Sequence, residues 1–219
     1  MSTVVLKVGG ASAGGVAEAV ARLGPRVCVV HGAGPQISRE MERRGLELRF
    51  VRGRRVTTPE VLEIVRRSLA QVNAAICAAI GGRAVPLAGE EIGLEAVHMP
   101  ELGLVGRPVA SAPPVVLDAL AAGLVPVLSP LARGPLNVNA DEAASALALG
   151  IGAERIHFLT DVPGVYRGGS LMHSLDATTA ELLVQTGEFD GGIAPKVLAA
   201  AGAARNGVAA EIGVTAVIA

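Results

Sequence analysis

The chain has 219 residues and a mass of 22.0 kDa, and its 19 Lys and Arg residues nearly balance 20 Asp and Glu residues, which gives a formal net charge of -1. A chain this close to neutrality has no long-range attraction for nucleic acid or for an anionic membrane surface. Its 51% hydrophobic and 18% charged residues exclude the disordered class. With 2% aromatic residues and no Trp, it also lacks the side chains of a base-stacking surface. We therefore expect a folded protein whose partners do not include nucleic acid.

The cysteines and the apolar stretches bear on the cellular compartment. Cys28 and Cys77 both lie inside apolar segments, which favours buried thiols in a reducing compartment over a disulfide framework. Lys7 and Glu18 interrupt the apolar residues near the N-terminus, so no signal peptide is predicted. The most apolar later stretch, residues 115–132, contains Asp and Pro and is too short to span a bilayer. The sequence predicts a soluble, cytoplasmic protein without a membrane anchor.

The first thirty residues have the pattern of a β-α-β unit. Residues 3–8 and 26–31 are rich in β-forming residues and predict two strands. Between them an apolar helical face begins near Val16, and Gly24-Pro25 ends that helix. A unit of this size implies that its two strands are parallel and joined by a right-handed crossover.

The alternation of strands and helices continues along the rest of the chain. Helices are predicted from Pro35 to about residue 45, and over 59–80, 114–122, 141–149, 176–185 and 194–205. Strands are predicted over 84–87, 124–128 and 155–159, with a Gly-rich hairpin at 164–170 and two closing strands. Residues 88–112 predict only short strands and turns. This pattern indicates an α/β fold, an open αβα sandwich with a central, mostly parallel sheet.

In such sheets the ligand lies beyond the carboxyl ends of the strands. That rule selects four segments on position alone. They are residues 7–10, 31–34, 137–141 and 160–161.

Lys7-Val8-Gly9-Gly10 places a lysine at a strand end, just before two residues whose amides can approach an anion closely. The Lys-Gly order is the reverse of a P-loop, and no dinucleotide-binding glycine motif is present. From these residues alone, a phosphate site and a tight turn with a solvated lysine are both open.

Residues 31–35, His-Gly-Ala-Gly-Pro, form a second glycine turn at a helix N-terminus, where free amides favour an anion. We interpret His31 as a structural, hydrogen-bonded residue, because no Ser or Cys nucleophile accompanies it. Arg54 and Arg55 could bind a substrate carboxylate, with a solvated basic loop as the alternative.

Polar residues alternate at the end of a later strand. Asn137, Asn139 and Asp141 can face one side, although Asn139 or Asp141 could instead cap a helix. Lys196 follows Gly191-Gly192 at the start of another helix. Glycine loops and two lysines are the set that phosphoryl transfer requires. Because no His, Cys or Asp cluster has metal-ligand spacing, Mg²⁺ is expected to arrive on the nucleotide.

Six motifs, in this order, carry a resemblance that covers nearly the whole chain. They are Lys-Val-Gly-Gly at 7–10, Val-His-Gly-Ala-Gly-Pro-Gln at 30–36, Gly-Arg-Arg-Val-Thr at 53–57, Leu-Asn-Val-Asn-Ala-Asp-Glu-Ala-Ala at 136–144, Leu-Thr-Asp-Val-Pro-Gly-Val at 159–165 and Gly-Gly-Ile-Ala-Pro-Lys-Val at 191–197. Together they resemble the amino acid kinase family. The third and fourth motifs make the chain similar to its acetylglutamate kinase branch, rather than to carbamate kinases, aspartokinases, glutamate 5-kinases or uridylate kinases.

The resemblance implies an enzyme that transfers the γ-phosphoryl group of ATP, with Mg²⁺, to the side-chain carboxylate of N-acetyl-L-glutamate, the second step of arginine biosynthesis. A carboxylate with a pKa of about 4.3 is ionised at neutral pH, so the nucleophile needs no general base. The expected product is N-acetyl-L-glutamyl 5-phosphate.

The resemblance also assigns roles to residues. The catalytic set is Lys7, Lys196 and Asp141, with no protein metal ligand. The residues expected to bind the acid substrate are Gly32, Ala33, Gly34, Arg55, Asn137 and Asn139. Those expected to bind the nucleotide are Lys7, Gly9, Gly10, Thr160, Asp161 and Lys196. Residues 1–149 would form an N-terminal lobe for acid binding and dimerisation, and residues 150–219 a C-terminal lobe for the nucleotide.

Three departures from the family pattern shape further expectations. Ala33 replaces a glycine, and its methyl group would clash if the backbone required positive φ. Segments near 88–107 and 210–214 are shorter than is usual, which would trim a lid over the acid and a loop beside the nucleotide. Lys7 lies near the start of the sequence, so we expect a homodimer insensitive to arginine. The alternatives are a kinase of the same fold for another amino acid or carbamate, and a catalytically weak regulatory ligand-binding homologue.

Overall fold

The protein is described by a computed structural model, which covers residues 2–9 and 15–219. The helices are α1 (Val16–Leu23), α2 (Gly34–Arg43), α3 (Pro59–Ile80), α4 (Gly89–Ile92), α5 (Pro114–Ala121), α6 (Ala140–Gly150), α7 (Ala177–Gln185) and α8 (Ile193–Arg205), with a 3₁₀ turn at Pro100–Leu102. The strands are β1 (Val4–Val8), β2 (Val27–His31), β3 (Phe50–Val51), β4 (Arg54–Arg55), β5 (Ala84–Ala88), β6 (Ala96–His98), β7 (Val105–Pro108), β8 (Val125–Ser129), β9 (Leu131–Ala132), β10 (Leu136–Val138), β11 (Arg155–Phe158), β12 (Tyr166–Arg167), β13 (Ser170–Leu171), β14 (Ser174–Asp176), β15 (Ala209–Ile212) and β16 (Thr215–Ile218).

A central sheet of eight strands runs through the described part of the chain, in the order β14-β16-β15-β11-β1-β2-β8-β5. The six strands from β15 to β5 are parallel to one another. β16 is antiparallel to β15, and β14 runs parallel to β16. The predicted α/β fold with a mostly parallel sheet is therefore confirmed.

The sheet is covered on both faces. On β1, Leu6 packs into a core with α1, α2 and α3, whereas its neighbour Val5 packs into a second core with α5, α6, α7 and α8. This alternation follows from the two-residue period of a strand. Because both faces are buried, β1 and β2 read in the sequence as continuous apolar runs.

Local signals explain where several helices begin and end. Thr58 caps α3 by accepting a hydrogen bond from the amide of Val61 at 3.2 Å, and Pro59 occupies the first turn. α3 ends at Gly81, whose φ of 85° is a conformation that glycine adopts without a steric penalty. These positions agree with the helix predicted over 59–80.

The segment with the weakest sequence pattern forms a second, smaller sheet. Its four strands have the order β6-β7-β10-β9. β6 and β7 are antiparallel, and β7 then pairs in parallel with β10. The short strands and turns predicted for residues 88–112 are present, together with the single helical turn of α4. This small sheet forms one wall of the site described below.

Neither cysteine forms a disulfide. Cys28 is buried and Cys77 is partly buried, and both are free thiols. Burial raises the pKa of Cys28 to about 12, so the buried thiol predicted at this position is confirmed. Among the described residues, no helix combines the length and apolar character needed to cross a membrane.

Candidate active site

A cavity of about 250 Å³ lies at the carboxyl ends of β1 and β2, between the N-termini of α2 and α6. One side is closed by the β3–β4 hairpin and another by the small sheet. The predicted site residues that line the cavity are Lys7, Gly32, Ala33, Gly34, Arg55, Asn137, Asn139 and Asp141. The structure therefore brings together all of the residues expected to bind the acid substrate.

Lys7, Lys196 and Asp141 form a buried charge cluster. The Nζ atom of Lys7 lies 2.8 Å from Oδ1 of Asp141, and the Nζ atom of Lys196 lies 3.1 Å from the same oxygen. Two positive charges thus share one negative charge, which leaves the cluster one positive charge in excess. A buried excess of this kind is stabilised when an anion binds next to it.

These two lysines are the only lysines in the 219-residue sequence, and its other basic side chains are arginines and histidines. An ammonium is a compact point charge, whereas a guanidinium spreads its charge over a planar fork. The chain therefore places its only two lysine ammonium groups at one carboxylate.

The shared carboxylate changes the proton affinity of the cluster. Burial acts to raise the pKa of Asp141, but the charges and hydrogen bonds of Lys7 and Lys196 outweigh it and hold the pKa below its usual value. Burial lowers the pKa of Lys196, and repulsion from Lys7 adds to this effect while Asp141 opposes it. Asp141 is therefore ionised at neutral pH, and both ammonium groups lie within hydrogen-bond distance of its Oδ1 atom.

Lys196 lies in the first turn of α8, where the helix dipole disfavours a cation. The amides of that turn and the ammonium group all favour an anion at this helix end. The Nζ atom of Lys196 also lies 5.6 Å from the centre of the Phe158 ring.

The turn between β2 and α2 forms the floor of the cavity. The Gly32 amide donates to the Val8 carbonyl at 3.1 Å, which fixes the turn against β1. Ala33 has a φ of -139°, so its methyl group fits without the strain that positive φ would cause. Gly34 begins α2, and the first-turn amides of a helix point out of its N-terminus. Because Pro35 has no amide hydrogen, the Gly34 amide is the donor of this turn that an anionic group in the cavity can meet.

His31 is fully buried beside the cavity. Its Nε2 atom lies 3.1 Å from Nδ2 of Asn73 and 3.2 Å from Oγ of Ser129. Burial lowers the pKa of His31 to about 4, and the charge of Lys7 contributes to the decrease. The structure thus agrees with the structural role predicted for this histidine.

Arg55 is a buried guanidinium, so the alternative of a solvated basic loop is wrong for this residue. Its Nη2 atom donates to Ser38 Oγ at 2.8 Å and to the Gly34 carbonyl at 3.3 Å, and the guanidinium lies 4.5 Å from the centre of the Phe50 ring. Burial lowers its pKa. No carboxylate of the described residues forms an ion pair with Arg55. A buried guanidinium in this state favours a carboxylate ligand.

Two asparagines link the cavity wall to the hairpin. Asn137 donates from Nδ2 to Thr57 Oγ1 at 2.9 Å. Asn139 caps α6, because its side-chain oxygen accepts from the amides of Asp141 at 2.9 Å and Glu142 at 3.2 Å. The capping role weighed for Asn139 is therefore present, and the residue also faces the cavity.

Of the residues expected to bind the nucleotide, Lys7 lines this cavity, whereas Gly9, Thr160, Asp161 and Lys196 are not among its lining residues. Thr160 and Asp161 follow β11, the strand that pairs with β1, and the Leu159 amide donates to the Lys7 carbonyl at 2.9 Å. Gly9 follows β1 directly. Gly10 lies outside the described residues.

Within residues 2–9 and 15–219, no group of three or more His, Cys, Asp and Glu side chains could hold a metal ion. Asp141, the carboxylate that lines the cavity, already has two lysine partners. The described side chains therefore do not fit a resident metal.

Sequence reasoning missed several residues that shape the site. Ser38, Phe50 and Thr57 hold Arg55 or Asn137. Glu142 was also missed, and it forms an ion pair with Arg54, which the sequence suggests as a ligand of a substrate carboxylate. Thr57, Arg54 and Glu142 lie inside the motifs named above, but no local pattern shows which of their side chains meet.

Comparisons with known proteins show the family of the chain. The model of the amino acid kinase family matches residues 2–214. The acetylglutamate kinase of Rubrobacter xylanophilus is 42% identical over 224 residues, which cover 97% of this chain and 88% of that protein. The acetylglutamate kinase of Thermus thermophilus is 41% identical over 93% of this chain and 87% of its own.

A solved structure shares the fold at low sequence identity. The crystal structure of smu.665 from Streptococcus mutans UA159 superposes with a TM-score of 0.90 at 23% identity, and covers 99% of this chain and 98% of its own. On the family model and these relatives, the chain belongs to the amino acid kinase family.

Proposed function

We propose that the protein is an acetylglutamate kinase, which transfers the γ-phosphoryl group of ATP to the side-chain carboxylate of N-acetyl-L-glutamate in arginine biosynthesis. The observation that carries this proposal is the buried Arg55, without a carboxylate partner among the described residues, in the same cavity as Lys7 and Asp141. An acid with two carboxylates fits that arrangement, because one end pairs with Arg55 and the other faces the lysines. The acetylglutamate kinases at 41% and 42% identity support the same substrate.

The reaction needs positioning and charge stabilisation more than covalent work by the protein. The attacking carboxylate is already ionised at neutral pH, so no side chain has to remove a proton. Lys7 and Lys196 stabilise the charge that develops on the transferring phosphoryl group, and Asp141 holds both ammonium groups in place. The amide of Gly34 at the start of α2 adds a backbone donor.

The remaining site residues divide between the two substrates. Arg55 pairs with the α-carboxylate of the acid, and the residues that surround it there are Gly32, Ala33, Gly34, Asn137 and Asn139. Thr160 and Asp161 border the nucleotide, and Gly9 and Gly10 approach its phosphates. On this assignment, the acid binds to residues 1–149, and the nucleotide binds to residues 150–219 together with Lys7, Gly9 and Gly10 of the first lobe.

Mg²⁺ enters as the complex with ATP. A divalent cation on the phosphates neutralises part of their charge during transfer. This proposal is supported by the two lysine partners of Asp141, which occupy the carboxylate that lines the cavity.

We also propose that the enzyme is a cytoplasmic homodimer. The free thiols of Cys28 and Cys77 fit a reducing compartment. The resemblance to acetylglutamate kinases supports the dimer, and closed two-fold assemblies are the commonest form of homo-oligomer.

The proposal is tested by measuring ADP release from ATP, in the presence of Mg²⁺, with one acid at a time. The acids are N-acetylglutamate, glutamate, aspartate, aminoadipate and carbamate. We expect the largest kcat/KM with N-acetylglutamate. Preference for another acid would assign a different kinase specificity, and ATP binding without turnover of any acid would support a regulatory ligand-binding protein.

A further inference from the structure

The β3–β4 hairpin lies between the two ends of the proposed reaction. Its last residue, Arg55, points to the acid end through its contacts with α2. At its tip, an added Cβ on Gly53 would lie 3.1 Å from Cβ of Pro195, the residue before Lys196. The position of this hairpin therefore sets how far Arg55 stands from the lysines that face the phosphoryl group.

An ion pair fastens the hairpin to α6. Arg54 Nη2 lies 2.7 Å from Glu142 Oε1, and Arg54 Nε donates to Glu142 Oε2 at 3.2 Å. This bidentate geometry fixes the relative orientation of the two side chains as well as the distance between them. The side chains are only 17% and 21% exposed, so water screens the pair less than it screens a surface ion pair.

The same helix end carries the carboxylate that holds both lysines. Glu142 directly follows Asp141 in the first turn of α6. Asn139 caps that turn and donates from Nδ2 to the Gly53 carbonyl at 3.1 Å. The hairpin is thus joined to the start of α6 by two contacts, one with Asn139 and one with Glu142. Asp141 lies between these two residues in the sequence.

We propose that Arg54 and Glu142 are positioning residues, whose ion pair holds Arg55 in register with Asp141 and the two lysines so that both ends of the acid are bound at once. This inference rests on the proposed function. Arg54 lines the cavity, whereas Glu142 does not, so Glu142 tests this role without a direct contact with the substrate. Their effect passes through the hairpin to Arg55 and through α6 to Asp141.

A double-mutant cycle tests this role with Arg54→Met, Glu142→Gln and the double variant. The readouts are kcat, KM for N-acetylglutamate and KM for ATP in a hydroxylamine-trapping assay, together with Tm. We expect each single variant to raise KM for the acid about fivefold or more, with KM for ATP within about twofold of wild type. The double variant should be little worse than either single variant, because both remove the same interaction.

Arg66 and Glu90 provide a matched control. This ion pair is also bidentate, with Arg66 Nη2 2.7 Å from Glu90 Oε2 and Arg66 Nε 3.0 Å from Glu90 Oε1. Its side chains are 34% and 20% exposed, and it borders a different cavity. Arg66→Met and Glu90→Gln should lower Tm to a similar extent and leave KM for the acid unchanged. A purely structural pair would give this result at both places.

Two results would overturn the proposal while wild type still converts N-acetylglutamate. One is an unchanged KM for the acid in Glu142→Gln, the variant closest in shape to the native residue, whether or not Arg54→Met folds. The other is an equal rise in KM in the control pair. A wild-type protein that forms no hydroxamate from N-acetylglutamate would overturn the proposed function and this inference together.

Discussion

Arg55 and Lys7 are buried cations, and Lys196 is a partly buried one. The positive charge of these groups exceeds the negative charge that the described residues place beside them. Such groups cost folding free energy, because burial removes water and only part of the charge is paired. When an anionic ligand binds beside these groups, it offsets part of this cost and stabilises the folded protein.

Lys196 is expected to act on turnover. In Lys196→Ala, kcat should fall by about 10²-fold or more, because one preorganised charge near the developing phosphoryl charge is lost. Circular dichroism should show an intact fold, since Lys7 still pairs with Asp141 at 2.8 Å. An unchanged kcat would remove Lys196 from the site.

Arg55 is expected to act on acid binding. In Arg55→Met, KM for N-acetylglutamate should rise by about tenfold or more, the range for loss of a charge-assisted hydrogen bond. KM for ATP should change little, because Arg55 would contact a part of the acid that does not react. Tm should be unchanged or higher, since the variant buries no guanidinium that lacks a carboxylate partner among the described residues. A selective effect on ATP would place Arg55 elsewhere.

His31 predicts a pH dependence of stability. Its pKa is about 4 in the folded protein and about 6.5 when unfolded, so the unfolded chain binds a proton more tightly. The free energy of unfolding should therefore fall as pH decreases from about 6.5 towards about 4, by up to about 3 kcal/mol from this residue. Urea unfolding across this range should show a smaller pH dependence in His31→Gln than in wild type. Equal dependence in both proteins would contradict the buried, neutral state.

At the scale of elements, the N-terminus of α6 joins the two halves of the site. Asn139 caps it and also donates to the Gly53 carbonyl, whereas Asp176 caps α7 away from the cavity by accepting from the Thr179 amide at 2.8 Å. The two caps can therefore be compared directly, because they share the stabilising interaction and differ in position.

Asn139→Ala and Asp176→Ala should each lower the free energy of unfolding by about 1 kcal/mol, the usual cost of a lost N-cap. Only Asn139→Ala should also raise KM for the acid, because it releases the hairpin that carries Arg55. Chemical unfolding and steady-state kinetics on both variants test this. Equal kinetic effects would show that α6 has no special part in the site.

Most elements could be predicted from local sequence signals. The apolar spacing along 59–80 and the Thr58-Pro59 start identify α3, and continuous apolar runs identify β1 and β2. The β3–β4 hairpin escaped prediction because each strand has only two residues, too few for a period. The small sheet escaped it because β7 pairs with β10, about thirty residues later.

The same difference between local signals and long-range contacts explains which parts of the site could be predicted. The strand-end rule is enough to place the glycine turns, Asn137 and Asp141 at one edge of the sheet. It does not show that Arg55 is buried against Ser38, or that Arg54 meets Glu142 across 88 positions. Those contacts depend on how the hairpin folds over the sheet, and a local pattern does not contain that information.

On the scale of the whole molecule, the central sheet continues through both proposed lobes. β1, from the acid side, pairs with β2 on one edge and with β11, from the nucleotide side, on the other. Lys7 and Lys196 thus come from different parts of the chain and meet at one carboxylate. The two substrates are expected to meet at the same place.

The assembly is expected to be a dimer. Light scattering on the full chain should give a mass of about 44 kDa, twice the 22.0 kDa of one chain. A monomeric or a hexameric mass would contradict this expectation.

The central claim is that the protein forms an acyl phosphate on N-acetylglutamate. Hydroxylamine converts an acyl phosphate to a stable hydroxamate, so one reaction with ATP, Mg²⁺ and equal amounts of all five acids, followed by mass spectrometry, identifies the acid that was phosphorylated. We predict the hydroxamate of N-acetylglutamate as the main product, absent when ATP is omitted. A main product from another acid, or no hydroxamate from a protein that still binds ATP, would contradict the account.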